Sequence, residues 1–250
     1  MKAIVLGAGK GKRLDSENHG IPKVMRTALG KPLLYYVLEN LVFCDEILIV
    51  VGYKKDVVIN GAGSGYTYVD QQEMKGTGHA AAVTEKALSG YNGPVLITFG
   101  DMPLFMESTY RQMFEIHRNE KADCTNLTCV YGPDEELPHY GRIIRDENGR
   151  FLAVREHRDC SGEEKSIRET NVGVMVCNAP DMYRYLNMLD CSNSQGEYYL
   201  TELPAIMRRN GRKVVMNTIH DTEQAIGANT PEELERIENV LKKRSGVKND

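Results

Sequence analysis

The sequence predicts an α/β fold, a mostly parallel sheet with helices on both faces, and three observations carry that expectation. Short apolar runs at 3–6, 46–51, 66–69 and 95–99 alternate with helical patterns. The helical patterns at 32–42 and 77–88 both follow loops rich in glycine. The length of 250 residues, 41% of them hydrophobic, is enough to bury a substantial core as one domain with a lobe.

Taken in order, 3–6 reads as a first strand, and Pro32 is placed for the first turn of a helix over 32–42. A second helix is expected over 77–88, with Gly90 as its C-cap. From 124 to 177 the character turns to strands and turns: a run at 124–131, a hairpin about Asp146-Glu147-Asn148-Gly149, and a run at 167–177. This segment is expected to form a small β-rich lobe of a single domain spanning 1–250. Thr230-Pro231-Glu232-Glu233 reads as N-cap, N1 proline and acidic first turn of a last helix. Leu234, Ile237 and Leu241 share one face of it, so its expected role is packing.

The formal charge of −4 argues against a surface built to neutralise nucleic acid. Six cysteines without a CxxC pair suit reduced thiols, and no run is long enough to span a bilayer. The apolar AIVL after Met1 and Lys2 is too short for a signal h-region. A cytoplasmic protein without nucleic-acid or membrane partners is therefore expected.

The opening loop fits neither common phosphate fingerprint. A dinucleotide motif needs G-x-G-x-x-G and an acidic residue after the second strand, whereas Gly7, Gly9 and Gly11 lead to Lys12, and Val50-Val51 leads to Gly52. A P-loop needs a glycine where Leu6 stands and Ser or Thr where Arg13 stands. What remains is either a turn whose backbone N–H groups face an anion such as a triphosphate, or a tight turn with solvated lysines. Pro22 is expected to bias Lys23 toward an extended approach, from which its ammonium would counter charge developing in phosphoryl transfer.

The segments LGAGKGKRL, IPKVM, LGKPLLYYVL, QQEMKGTGHA, FGDMPL, YGRIIRDENG, REHRD, ETNVGV, QGEYYLTEL and GANTPEEL occur in one order. In that order the chain resembles the sugar-1-phosphate nucleotidyltransferases, and most closely the uridylyltransferase domain of the bifunctional N-acetylglucosamine-1-phosphate uridylyltransferases, over about 1–240. The resemblance implies a Rossmann-like, GT-A-like nucleotidyltransferase fold, with a mixed, mostly parallel sheet flanked by helices. It implies in-line attack of a sugar 1-phosphate on the α-phosphorus of UTP, with loss of pyrophosphate. Such chemistry needs positioning and charge neutralisation more than a nucleophilic side chain.

By the same resemblance, Arg13 and Lys23 are catalytic, and Asp101 and Asn229 hold Mg²⁺. Leu6, Ala8, Gly9, Gly11, Gln71, Gly76, Thr77 and Gly100 are assigned to the nucleotide, with the Gln71 amide reading uracil. Gly141, Glu156, Asn171 and Thr201 are assigned to the sugar phosphate, and His79 is left as structural. The chain departs from the family pattern in carrying Lys12 before Arg13 and the longer DSENHGI link. No hexapeptide repeat follows KKRSGVKND, so acetyl transfer is not expected of these residues. Two other readings stay open: a same-fold transferase with another base or acceptor, such as a cytidylyltransferase acting on a polyol or amino-alcohol phosphate, and a catalytically silent nucleotide-sugar sensor.

Overall fold

Runs of residues that are apolar at every position can be buried only between two covering layers, and such runs form the centre of the sheet. Strand β1 (Lys2–Leu6) is buried from Ala3 to Leu6. Residues 1–11 and 20–246 are described by the computed structural model. A short hairpin, β2 (Thr27–Ala28) with β3 (Lys31–Pro32), leads into helix α1 (Leu33–Glu39). Strand β4 (Glu46–Val51), helix α2 (Lys55–Ala62), strand β5 (Thr67–Asp70), helix α3 (Thr77–Ala82) and strand β6 (Pro94–Phe99) continue the alternation. β1 lies parallel between β4 and β6, so Leu6 stands beside both Val50 and Phe99.

Helix α4 (Glu107–Asn119), strand β7 (Cys124–Val130), the hairpin of β8 (Gly141–Arg145) with β9 (Phe151–Arg155), and strand β10 (Glu169–Asn178) come next. Helices α5 (Ala179–Leu186) and α6 (Leu203–Arg209), strand β11 (Val214–Ile219) and helix α7 (Pro231–Ser245) complete the chain. The strand order is β11-β7-β10-β6-β1-β4-β5, mixed because β10 runs antiparallel to both β6 and β7. Within 124–177, β7 and β10 belong to this sheet, while the β8–β9 hairpin branches from β10. One face packs Val37, Leu38, Met113 and Phe114 from α1 and α4; the other packs Ala80, Met182, Leu203 and Met207 from α3, α5 and α6.

Three local expectations need correction. The helix expected over 77–88 ends at Ala82, and the chain continues in turns to Gly90 at φ +79. Ala80, Ala81 and Leu88 are buried, so tertiary packing holds this stretch without a continuous ladder. Pro32 is the N-cap of α1 rather than its first turn, with ψ 140. Lys23 opens a 3₁₀ turn, Lys23–Met25, instead of an extended approach. Proline fixes its own φ and restricts the residue before it, so Pro22 places no such constraint on Lys23.

Candidate active site

The parallel strands β1, β5 and β6 end on the same side of the sheet, where open α/β sheets place their ligands. Loop 7–11 leaves β1, Gln71 follows β5 and Asp101 follows β6; all three border one cleft of about 1000 Å³. Its far wall is Gly141 at the start of β8, Glu156 just past β9, Asn171 of β10 and Thr201. Leu6, Ala8, Gly9, Gly11, Lys23, Gln71, Gly76, Thr77, Asp101, Gly141, Glu156, Asn171, Thr201 and Asn229 thus share a single cleft. Gly100 is not on its lining: a Cβ there would lie 2.9 Å from Val24 Cγ1 and 3.2 Å from Leu34 Cδ1, so it permits close packing beneath the floor. Arg13 lies outside the described residues.

The Lys23 ammonium sits between two oxygens, hydrogen-bonded to Asp101 Oδ2 and, at 2.9 Å, to Asn229 Oδ1. Both partners of the ion pair are largely shielded, at 14% and 18% side-chain exposure, so water screens them little. Asn229 is oriented from several sides. Its Nδ2 donates to the Gly227 carbonyl at 3.2 Å, which turns Oδ1 toward Lys23, and its backbone N–H donates to Glu233 Oε2 at 2.7 Å. Glu233 is also the N3 member of the capping box with Thr230, so α7, expected only to pack, also positions a cleft residue. The N–H of Ala228 donates to the Asp101 carbonyl at 3.0 Å, tying the two loops together. Two hard oxygens therefore converge on one cation, a donor set that suits a divalent ion keeping part of its water shell.

On the wall beside Gly76, Gln71 is 3% exposed. Its Nε2 donates to the Gly76 carbonyl at 3.1 Å and stands 3.1 Å from His79 Nδ1. The Gly76 carbonyl can only accept, so this contact fixes the amide orientation and leaves Oε1 as the free hydrogen-bonding atom. His79 therefore does more than fill space, since it takes the second amide hydrogen.

On the opposite wall, Thr201 Oγ1 donates to Glu156 Oε1 at 2.6 Å. A Cβ on Gly141 would meet Val154 Cγ1 at 2.7 Å and Glu156 Oε1 at 3.5 Å, so glycine lets β8 close on this carboxylate. Burial pushes the Glu156 carboxyl above its ordinary value of 4.5; the hydrogen bond from Thr201 pulls it down, and nearby Asp159 pushes it up. A carboxyl with a raised folded pKa destabilises the fold once it ionises. Its stabilising protonated form is present below 4.5 and is lost as pH rises through the folded value. Glu156→Gln is accordingly expected to have a higher thermal midpoint than wild type at about pH 8, with the difference closing by about pH 4. A variant less stable than wild type at pH 8 would contradict the burial cost.

Tyr140 carries a role that no local pattern announced. Its hydroxyl donates to the Ala225 carbonyl at 2.8 Å and accepts from the Gly227 N–H at 3.0 Å, joining the loop before β8 to the loop that holds Asn229. Arg142, 1% exposed, braces the same loop by donating to the carbonyls of Pro138 at 3.0 Å and Tyr140 at 2.6 Å. A tyrosine-glycine pair predicts a turn, whereas these partners are distant in sequence.

An open α/β sheet thus gathers a glycine loop, a lysine–aspartate pair and a polar far wall around one strand-end cleft. Residues 2–158 match the family model described as Nucleotidyl transferase, and the chain belongs to that family. It is 36% identical over 244 residues to the bifunctional protein GlmU of Lactococcus lactis subsp. lactis (strain IL1403), covering 97% of this chain and 52% of that protein. It is 35% identical over 244 residues to bifunctional protein GlmU of Brevibacillus brevis (strain 47 / JCM 6285 / NBRC 100599), with the same coverage. The chain spans about half the length of these relatives. A crystal structure of UDP-glucose pyrophosphorylase complexed with UDP-glucose has the same fold, with TM-score 0.78 at 20% identity, covering 97% of this chain and 98% of that one. No helix among the described residues is long and apolar enough to cross a membrane.

Proposed function

We propose that this chain is a sugar-1-phosphate uridylyltransferase that joins UTP and N-acetylglucosamine 1-phosphate. A phosphate oxygen of the sugar ester attacks the α-phosphorus of UTP in line. The new P–O bond forms as the bond to the β-phosphate bridge breaks, and pyrophosphate leaves with the electron pair. The observation that carries this reading is the cation site at the strand ends, where Lys23 meets Asp101 and Asn229 opposite the glycine loop. A lysine there stabilises negative charge gathering on the phosphates, and the walls hold the two substrates in line. Asp101 and Asn229 are the residues that would hold Mg²⁺, which supplies neutralisation of the phosphate oxygens when bound. Arg13 is proposed as a second phosphate contact.

The base assignment follows from the Gln71 amide. With Nε2 committed to Gly76, Oε1 accepts, which complements the N3–H of uracil and opposes the unprotonated N3 of cytosine. The acceptor assignment is supported by the shared wall of Glu156, Asn171 and Thr201 and by the GlmU relatives. Pyrophosphate release measured with the four nucleoside triphosphates against sugar and polyol phosphates tests both assignments. UTP is expected to exceed CTP in kcat/KM by about 100-fold or more, since a site built to bond an N–H rejects a base lacking it. Comparable turnover with CTP would overturn the base assignment. Saturable UTP binding without release on any acceptor would favour the sensor.

A further inference from the structure

Tyr140 stands between two parts of the cleft that lie far apart in sequence. On one side it precedes Gly141, which pairs with Asn171 and closes on Glu156. On the other, its hydroxyl reaches into the segment 225–229. Both of those bonds run in a fixed direction, because a backbone carbonyl only accepts and a backbone N–H only donates. The hydroxyl proton therefore goes to the Ala225 carbonyl at 2.8 Å, and a lone pair takes the Gly227 N–H at 3.0 Å. Ala225 and Gly227 are buried, so their backbone groups need a partner from within the protein.

The bonds continue from Gly227 to the cation site. The Gly227 carbonyl accepts from Asn229 Nδ2 at 3.2 Å. Asn229 Oδ1 is thereby turned to the Lys23 ammonium at 2.9 Å, a group that only donates. The direction of this amide is fixed at both ends. Gly227 is itself closely enclosed: a Cβ there would meet Asn229 Nδ2 at 3.3 Å, and Met102 Cγ and the Tyr140 hydroxyl oxygen at 3.4 Å each. The backbone of Tyr140 is held independently of its hydroxyl, by Arg142 donating to the carbonyls of Pro138 and Tyr140.

We infer that Tyr140 is a positioning residue for the cation site: through Gly227, its hydroxyl holds Asn229 Oδ1 where Lys23 and Asp101 meet. Arg142 and the pairing of Gly141 with Asn171 keep the wall of Gly141 and Glu156 in place without that hydroxyl. Removing one oxygen atom therefore disturbs the cation site and leaves both walls of the cleft standing. The inference rests on the reading above in which Asp101 and Asn229 hold Mg²⁺.

Tyr140→Phe keeps the ring and removes the hydroxyl. Titration calorimetry with UTP, in chelator and again in saturating Mg²⁺, separates the contribution of the metal from the rest of nucleotide binding. The affinity in chelator is expected to stay within about twofold of wild type, and the gain brought by Mg²⁺ to shrink about tenfold, the worth of one hydrogen bond. In turnover, the Mg²⁺ concentration giving half the maximal rate is expected to rise about tenfold, while the KM for N-acetylglucosamine 1-phosphate stays within about twofold. Tyr36→Phe is the control: its hydroxyl donates to the Ala28 carbonyl at 2.9 Å, and Tyr36 is off the cleft lining. It is expected to lower the thermal midpoint, as Tyr140→Phe does, with the Mg²⁺ gain unchanged. Asn229→Ala is expected to lose the gain, and Tyr140→Phe adds nothing in that background. Should Tyr140→Phe not fold, Gly227→Ala probes the same joint: it keeps the hydroxyl, sets a methyl group 3.3 Å from Asn229 Nδ2, and is expected to reduce the gain.

An undiminished Mg²⁺ gain in folded Tyr140→Phe, with Asn229→Ala impaired, would overturn the positioning role and leave the metal reading intact. An equal loss of UTP affinity in chelator and in Mg²⁺ would mark the hydroxyl as structural only and also overturn it. If Mg²⁺ adds nothing to UTP binding by wild type, or Asn229→Ala leaves the gain unchanged, the metal reading falls and the inference falls with it.

Discussion

Lys23→Ala and Asp101→Ala are each expected to lower kcat by roughly 10²- to 10³-fold, the usual loss when one preorganised charge is removed from a transition state. The two side chains form one ion pair at the strand ends, and Asn229 accepts from the same ammonium. Groups that act as a unit lose their effect together, so the double variant should be little worse than the poorer single one. Stability should fall as well, because each substitution leaves a shielded charge without its partner. The cost is expected to be about 1–2 kcal/mol, below that of a fully buried pair because some exposure remains. Steady-state pyrophosphate release and thermal unfolding of the three variants make the check. Turnover within about tenfold of wild type in folded Lys23→Ala would remove Lys23 from the catalytic role. Independent, multiplying losses would separate Lys23 from Asp101.

The same cluster shows which parts of the molecule were legible before its structure. Strands β1, β4 and β6 were legible because each is a short apolar run buried on both faces. The start of α7 was legible because Thr230, Pro231 and Glu233 act locally, within one turn. The end of α3 was not, since the turns after Ala82 are held by packing of Leu88 into the core, and nothing local stops the helical pattern. The joining of β7 and β10 to the central sheet was equally hidden, because strand propensity carries no information about partners across 45 residues, the separation of Asn126 from Asn171. For the cleft, motif order brought distant segments into one list, and the fold gathers all of those described except Gly100 around one cavity. Tyr140 escaped because it acts only through distant partners, Ala225 and Gly227.

That gathering depends on a clasp between two segments more than 100 residues apart, and Gly76→Ala is expected to break it. The N–H of Tyr198 donates to the Lys75 carbonyl at 2.9 Å, and the N–H of Gly78 donates to the Tyr198 carbonyl at 2.8 Å. Thr77 Oγ1 accepts from the N–H of Leu200 at 3.1 Å, so the segment carrying Gln71 and Gly76 is laced to the one carrying Thr201. At the centre of this lacing Gly76 has φ +109, a conformation that side-chain-bearing residues rarely adopt. A Cβ there would lie 2.7 Å from the Tyr198 carbonyl oxygen and 2.9 Å from its nitrogen, both backbone atoms that cannot rotate aside. Strain and displacement together are expected to cost about 3 kcal/mol, lowering the thermal midpoint by roughly 6–12 °C. Under the proposed function the KM values of both substrates should rise, because the clasp joins the wall of Gln71 and Gly76 to the wall of Thr201. Gly9→Ala is the matched comparison: a Cβ at Gly9 has no neighbour within 4 Å. Its stability should stay within about 0.5 kcal/mol of wild type. If phosphates come close to the loop, Gly9→Ala still raises the KM for UTP, and it does so without touching the sugar phosphate. Paired unfolding and kinetic measurements on the two variants therefore separate a glycine required by the fold from one required by the ligand. A Gly76→Ala protein as stable as wild type, with unchanged KM values, would show that the clasp yields to a methyl group and does not hold the two walls together.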